Sequence, residues 1–172
     1  MKIAIVGKMC SGKTTLTNFL IKNFAIKKHI ELRKISFADK IYELAYDLFN
    51  MTTKDRKLLQ AIGTNMREID KNVWVNYTIN KYSENVIIDD CRYENEISAL
   101  KDAGYILIKL NISKELQISR LKSTYQDNWE IHLKNCSHES ETSMNSINDN
   151  EFNLVISVDG DNVFDKVSNF LL

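Results

Sequence analysis

The chain has 172 residues, which suits one well-buried core and leaves too little for two full domains. Its 23 basic and 23 acidic residues cancel, so it lacks the basic excess that supplies most of the affinity of a nucleic-acid binder. Three cysteines without a CxxC pair exclude a disulfide framework and a zinc site, and the first apolar run, Ile3 to Val6, is too short for a leader or a membrane span, so a cytoplasmic protein is expected.

Apolar runs alternate with helical patterns along the chain, which is the signature of βα units around a parallel sheet. Ile3-Ala4-Ile5-Val6 reads as a strand buried on both faces, and Leu16, Phe19, Leu20 and Phe24 follow at helical spacing. Residues 31–36 predict a second strand. Ile41, Leu44, Ala45, Leu48 and Phe49 then form an amphipathic stripe. A helix over 54–62, stopped by Gly63, comes next, and Asp70 is the expected N-cap of a fourth helix bearing Trp74 and Tyr77. Val86-Ile87-Ile88 predicts a third strand, with a helix after it that ends near Gly104; residues 105–110 predict a fourth, with Ser113 capping the helix beyond. Periodicity fades over 122–150, a polar stretch read as a mobile excursion. Leu154-Val155-Ile156 is the fifth expected strand, and Asp161 is the expected cap of a last helix.

The strongest chemical signal is Gly7-Lys8-Met9-Cys10-Ser11-Gly12-Lys13-Thr14, a full GxxxxGK[ST] match between a buried strand and an amphipathic helix. Glycines at the two ends let successive backbone N–H groups turn toward an anion, and the helix N-terminus adds its positive end. These eight residues and Thr15 are expected to hold the phosphates of ATP, with Lys13 on the β- and γ-phosphates and the Thr14 hydroxyl on Mg²⁺.

Asp89 and Asp90 end a hydrophobic strand, where a carboxylate holds Mg²⁺ or simply caps a helix; the metal role is favoured, with Asp89 ahead. Arg92 lies at the carboxyl edge of the sheet, where open α/β folds bind ligands; its alternative is an ion pair with Glu94 or Glu96. Arg67 is divided between gripping an acceptor phosphate and a surface ion pair, and Trp74 between core and base platform. Glu139 and Glu141 suit either a substrate hydroxyl or solvated charge. A regulatory GTPase is excluded, because Asn80-Lys81-Tyr82-Ser83 lacks the aspartate of a guanine reader.

Six blocks recur in this order in the viral and phage deoxynucleoside monophosphate kinases, which the chain resembles. They are the P-loop, Ser36-Phe37-Ala38-Asp39-Lys40, the block from Leu59-Gln60 through Gly63-Thr64, Arg67 and Asp70 to Trp74, Asp89-Asp90-x-Arg92-x-x-x-Glu96, His138-x-Ser140-Glu141, and Val158-Asp159-Gly160. The absence of proline and the abundance of Ile, Asn and Lys fit an AT-rich coding sequence, such as a viral one. The resemblance implies an α/β, adenylate-kinase-like P-loop kinase fold, a three-layer arrangement with a five-stranded parallel sheet. Residues 37–82 would form an acceptor-binding helical region and 114–150 a lid. It implies transfer from ATP to a deoxynucleoside monophosphate, giving dNDP and ADP. Lys13, Arg92 and Arg120 would act on the transferring group, and Asp159 and Gly160 would lie beside the nucleotide. Phe37, Asp39, Lys40, Arg67, Trp74, Arg92 and Glu141 would bind the acceptor. Relatives carry several lid arginines, whereas here Arg120 has only Lys122 and Lys134 as basic company. Animal-type phosphomevalonate kinases share a related layout, so another small phosphorylated metabolite is the alternative acceptor. The expected partners are small molecules, and a homodimer is left open.

Overall fold

The computed structural model describes residues 1–136 and 147–172. Five parallel strands, β1 (Lys2–Gly7), β2 (Arg33–Ile35), β3 (Val86–Ile88), β4 (Ile106–Asn111) and β5 (Leu154–Ser157), form one sheet in the order β2-β3-β1-β4-β5. Ile3 pairs with Ile87 on one side of β1 and with Ile106 on the other, so β1 lies at the centre with a neighbour on each edge.

Side-chain alternation divides the core in two. Ala4, Val6, Val86, Ile88 and Leu107 pack on the face covered by helices α2 (Asp39–Phe49), α3 (Arg56–Ile69), α4 (Val73–Lys81) and α5 (Glu94–Asp102). Ile3, Ile5, Ile87, Ile108 and Leu110 pack on the other, against α1 (Lys13–Lys28) and the last helix, α8 (Val163–Leu171). Leu16, Leu20 and Phe24 give α1 its buried stripe, and each such side chain contributes roughly 1.5–3 kcal/mol by leaving water. The result is three layers, helices on both faces of a parallel sheet, as the alternation of elements predicts.

Four local expectations are corrected. The helix expected to stop at Gly63 continues to Ile69 as α3. A glycine inside a helix costs about 0.5–1 kcal/mol relative to alanine. Here it makes room: a Cβ on Gly63 would come within 3.4 Å of both Arg67 Nη1 and Ile41 Cδ1, and the Gly63 carbonyl accepts the Trp74 indole N–H at 3.1 Å. Asp70 is consequently the C-cap of α3, and the residue at the N-cap of α4 is Asn72. The last helix is capped by Asn162, whose side chain accepts the Asp165 N–H, while Asp161 pairs with Lys166 at 2.7 Å. The stretch from 122 is also more regular than its polarity suggests. Helix α6 (Lys114–Tyr125) runs into a short 3₁₀ turn and then α7 (Trp129–Asn135). Tyr125 stacks on His132 with centroids 3.6 Å apart, and the Lys122 ammonium lies 4.6 Å from the Trp129 ring centre. Tyr125, Trp129 and His132 stand four and three apart, a helical spacing that the polar residues between them obscure in the sequence. Ser113 caps α6 as predicted, its hydroxyl accepting the Leu116 N–H. No helix among the described residues is long and apolar enough to cross a membrane.

Candidate active site

Two cavities open at the carboxyl ends of the strands, on either side of the point where the strand order reverses at β1. The first, of about 530 Å³, lies beyond β1, β4 and β5; the second, of about 580 Å³, lies beyond β2 and β3. Both fall within the ordinary range of small-ligand sites.

The first cavity is built on the loop from β1 to α1. Gly7 fits because a Cβ there would meet the Leu110 carbonyl oxygen at 2.7 Å and Ser11 Oγ at 2.8 Å. Gly12, at φ +97°, is the N-cap of the 16-residue α1 and supplies no side chain to its first N–H groups, which leaves that end suited to an anion. Ser11 Oγ is buried without a hydrogen-bond partner among the described residues. A buried hydroxyl in that position fits the oxygens of a polyphosphate. The Lys13 ammonium folds over the loop and donates to the carbonyls of Gly7 at 2.6 Å and Lys8 at 2.9 Å. Cys10, Ser11, Gly12, Lys13, Thr14 and Thr15 line this cavity together with Arg120, whose Nη1 donates to the Cys10 carbonyl at 3.0 Å. Tyr125, Val158 and Phe164 form its apolar end. Asp159 lies just beyond Val158 and accepts hydrogen bonds from the Ser113 hydroxyl and N–H, which hold its carboxyl below the usual range. Gly160 follows on the exposed surface.

The second cavity gathers three separate segments, from 36 to 42, 54 to 67 and 90 to 96. Arg56, Gln60, Gly63, Thr64 and Arg67 fall on one face of α3 at spacings of three and four, and all line it. Arg67 lies over the Tyr93 ring, donates to the Gly63 carbonyl at 3.2 Å and pairs with buried Glu96 at 3.6 Å. Glu96 also accepts the backbone N–H groups of Arg92 and Tyr93, which sets the start of α5 and positions Arg92 at the cavity wall. Burial raises the Glu96 carboxyl above its ordinary pKa, against the pull of those N–H groups and of Arg67. Asp90 lines the same cavity and binds the Ser36 hydroxyl and the N–H groups of Phe37 and Ala38. Its carboxyl is likewise raised by burial, with those hydrogen bonds opposing the shift.

The structure places Phe37, Arg67 and Arg92 on the wall of the second cavity and leaves Asp39, Lys40 and Trp74 off it. Trp74 is only 3% exposed and its indole is committed to Gly63, so its ring is core and not a base platform. Asp39 turns back to accept the Ser36 N–H at 3.0 Å, and Lys40 pairs with Glu43 on the surface of α2. Neither lines the cavity. Asp89 is 7% exposed, held 2.7 Å from the Lys34 ammonium on β2, and does not line the P-loop cavity, while Thr14 does. Glu141, with the His138-x-Ser140-Glu141 block, lies outside the described residues. Tyr42, Gln60 and Tyr93 are not singled out as site residues by the sequence; ending the helix at Gly63 cuts Gln60 off from Thr64 and Arg67, with which it shares a face of α3.

A protein-family profile described as an AAA domain matches residues 3–144. The chain belongs to that family. No curated protein sequence matches it. Among solved structures this AAA-domain chain is similar to shikimate kinase from Bacteroides thetaiotaomicron, with TM-score 0.55 at 16% identity over 99% of this chain and 98% of that one. An uncharacterised protein from Eubacterium ventriosum gives TM-score 0.54 at 15% identity over 99% and 97% of the two chains. A chain of the PezAT toxin-antitoxin system of Streptococcus pneumoniae gives 0.50 at 19% over 92% and 69%. At such identities the likeness is one of fold, and the fold is that of the P-loop kinases.

Proposed function

We propose that this chain transfers a phosphoryl group from Mg-ATP to a small phosphorylated acceptor, and that the acceptor is a (deoxy)nucleoside monophosphate. One observation carries the reading. The P-loop cavity has a neighbour along the same sheet edge that combines two arginines, Arg67 and Arg92, with aromatic rings from Phe37, Tyr42 and Tyr93 and an amide from Gln60. The arginines suit an acceptor phosphate, the rings a flat base, and the amide a polar base edge.

In this reading the P-loop N–H groups and Lys13 bind the ATP phosphates, and Tyr125 and Phe164 face the nucleoside end. Asp159 and Gly160 border it. Bound Mg²⁺ supplies charge neutralisation at the phosphates. Thr14 and Asp89 are its candidate ligands, and Lys34 already occupies one of the two Asp89 carboxylate oxygens. Lys13, Arg92 and Arg120 stabilise charge on the transferring group, and an acceptor phosphate needs no proton removed to attack. Residues 37–82 serve as the acceptor region and 114–150 as a lid that excludes water.

The second reading, a short aliphatic phosphate such as phosphomevalonate, is favoured by the loss of Trp74 and Asp39 from the base-facing set. A coupled ADP-release assay over the common NMPs and dNMPs and phosphomevalonate decides between them. Turnover on one or more nucleotides is expected. Turnover on phosphomevalonate alone overturns the nucleotide reading, and equal turnover on ribo- and deoxynucleotides removes the sugar preference.

A further inference from the structure

We propose that Gln117 is a positioning residue for the donor phosphates, acting through the Met9–Cys10 peptide of the P-loop. The inference rests on the donor-site reading above. Gln117 lies on α6 and is 7% exposed, beside Leu121 on the buried side of that helix. A buried primary amide is costly unless it is hydrogen-bonded. Its Nε2 donates to the Met9 carbonyl at 2.9 Å and approaches Cys136 Sγ, at the end of α7, at 3.7 Å.

The consequence follows from peptide geometry. In a trans peptide the carbonyl and the next N–H point to opposite sides, and no peptide in the described chain is cis. Drawing the Met9 carbonyl toward α6 therefore turns the Cys10 N–H the other way. Cys10 lines the P-loop cavity and Met9 and Gln117 are not among its lining residues, so we assign the Cys10 N–H to the cavity side. Gln117 grips the loop from behind and presents the Cys10 N–H to the cradle.

The loop has reason to need holding. Cys10 sits at φ +63°, the left-handed region, which is unfavourable for a non-glycine residue and persists only where the surroundings enforce it. This conformation lets consecutive N–H groups converge on an anion. One residue further, Arg120 donates to the Cys10 carbonyl. Gln117 and Arg120 are three apart on α6, so one helix face clamps two successive carbonyls of the loop. Arg120 also lines the cavity and so has a second use at the phosphates, whereas Gln117 lies behind the loop and is left with the positioning alone.

The test measures ADP affinity by calorimetry, the separate KM values for ATP and acceptor, and the amide spectrum of ¹⁵N-labelled full-length protein. Gln117→Leu, which removes the donor, is expected to weaken ADP binding and raise the ATP KM by roughly tenfold while leaving the acceptor KM within about twofold. Gln117→Glu, which sets an acceptor against the Met9 carbonyl, is expected to weaken ADP binding further. In the unmodified protein the Cys10 amide resonance should move on ADP titration, and in Gln117→Leu that movement should be lost. A Gln117→Leu protein that binds ADP like the unmodified one overturns the proposal. So does a lower melting temperature with both KM values unchanged. Should neither variant fold, a Cys10 amide that stays fixed in the unmodified protein while those of Ser11 to Thr14 move also overturns it. Absence of ADP binding by the unmodified protein would instead remove the donor-site reading, and the positioning role with it.

Discussion

The two cavities are built on opposite plans. The P-loop cavity takes most of its polar wall from consecutive residues, Cys10 to Thr15, and adds Arg120 from α6. The second cavity has no such run; it assembles one face of α3 with the segments that follow β2 and β3. The first is mainly local backbone geometry at a helix N-terminus, with Gln117 and Arg120 of α6 holding two of its carbonyls. The second depends on tertiary links, above all Glu96, which ties the Arg92–Tyr93 backbone to Arg67, and Asp90, which ties the 36–38 turn to the end of β3. A side chain of the first cavity is thus separable from the fold, and one of the second is not.

Lys13→Ala tests the separable case and should have the largest effect. Removing a preorganised charge at the transferring group is expected to cost about 10² or more in kcat, with the fold retained. The ammonium's hydrogen bonds to the Gly7 and Lys8 carbonyls lie within the loop, so circular dichroism and the melting temperature should move little. Near-normal transfer by the folded variant would refute the role of the P-loop.

Arg67→Ala probes the inseparable case. The acceptor KM is expected to rise by roughly tenfold or more with the ATP KM little changed, because a guanidinium bound to phosphate is worth several charge-assisted hydrogen bonds. Unlike Lys13, it should also lower stability, since buried Glu96 loses its ion-pair partner and the Gly63 carbonyl a donor. A rise in the ATP KM alone would exchange the two cavities' roles.

Trp74→Phe should touch stability and nothing else. Losing the indole N–H to the Gly63 carbonyl is expected to cost about 1–3 kcal/mol in denaturant unfolding, with both KM values unchanged. An acceptor KM raised tenfold at unchanged stability would return Trp74 to the acceptor site and blur the contrast between the two cavities.

That contrast also governs how much could be read in advance. The P-loop was legible because its chemistry is a spacing, and the strand before it and the helix after it are short-range patterns. All five strands were found within one or two residues at each end; β1 and β3 are apolar runs with buried interiors, whereas β2 is an edge strand whose Arg33 and Lys34 are exposed. The second cavity was only half legible. Arg67 and Arg92 stood out as charges near strand and helix ends, but Trp74, Asp39 and Lys40 looked like ligand groups and proved to be engaged by Gly63, Ser36 and Glu43. Gly63 misled most. Read as a helix stop, it hid the continuous face of α3, and only the closeness of Ile41 and Arg67 explains why a glycine is there.

By itself, the sequence determined the alternation of strands and helices and the GxxxxGK[ST] loop between β1 and α1, because each is encoded within a dozen consecutive residues. Only the tertiary structure decided which polar side chains face a cavity. A carboxylate or indole can satisfy its hydrogen bonds with a ligand or with a neighbouring backbone group. Which partner it takes depends on elements far apart in the chain: Lys34 for Asp89, the 36–38 turn for Asp90 and Gln117 for the Met9 carbonyl.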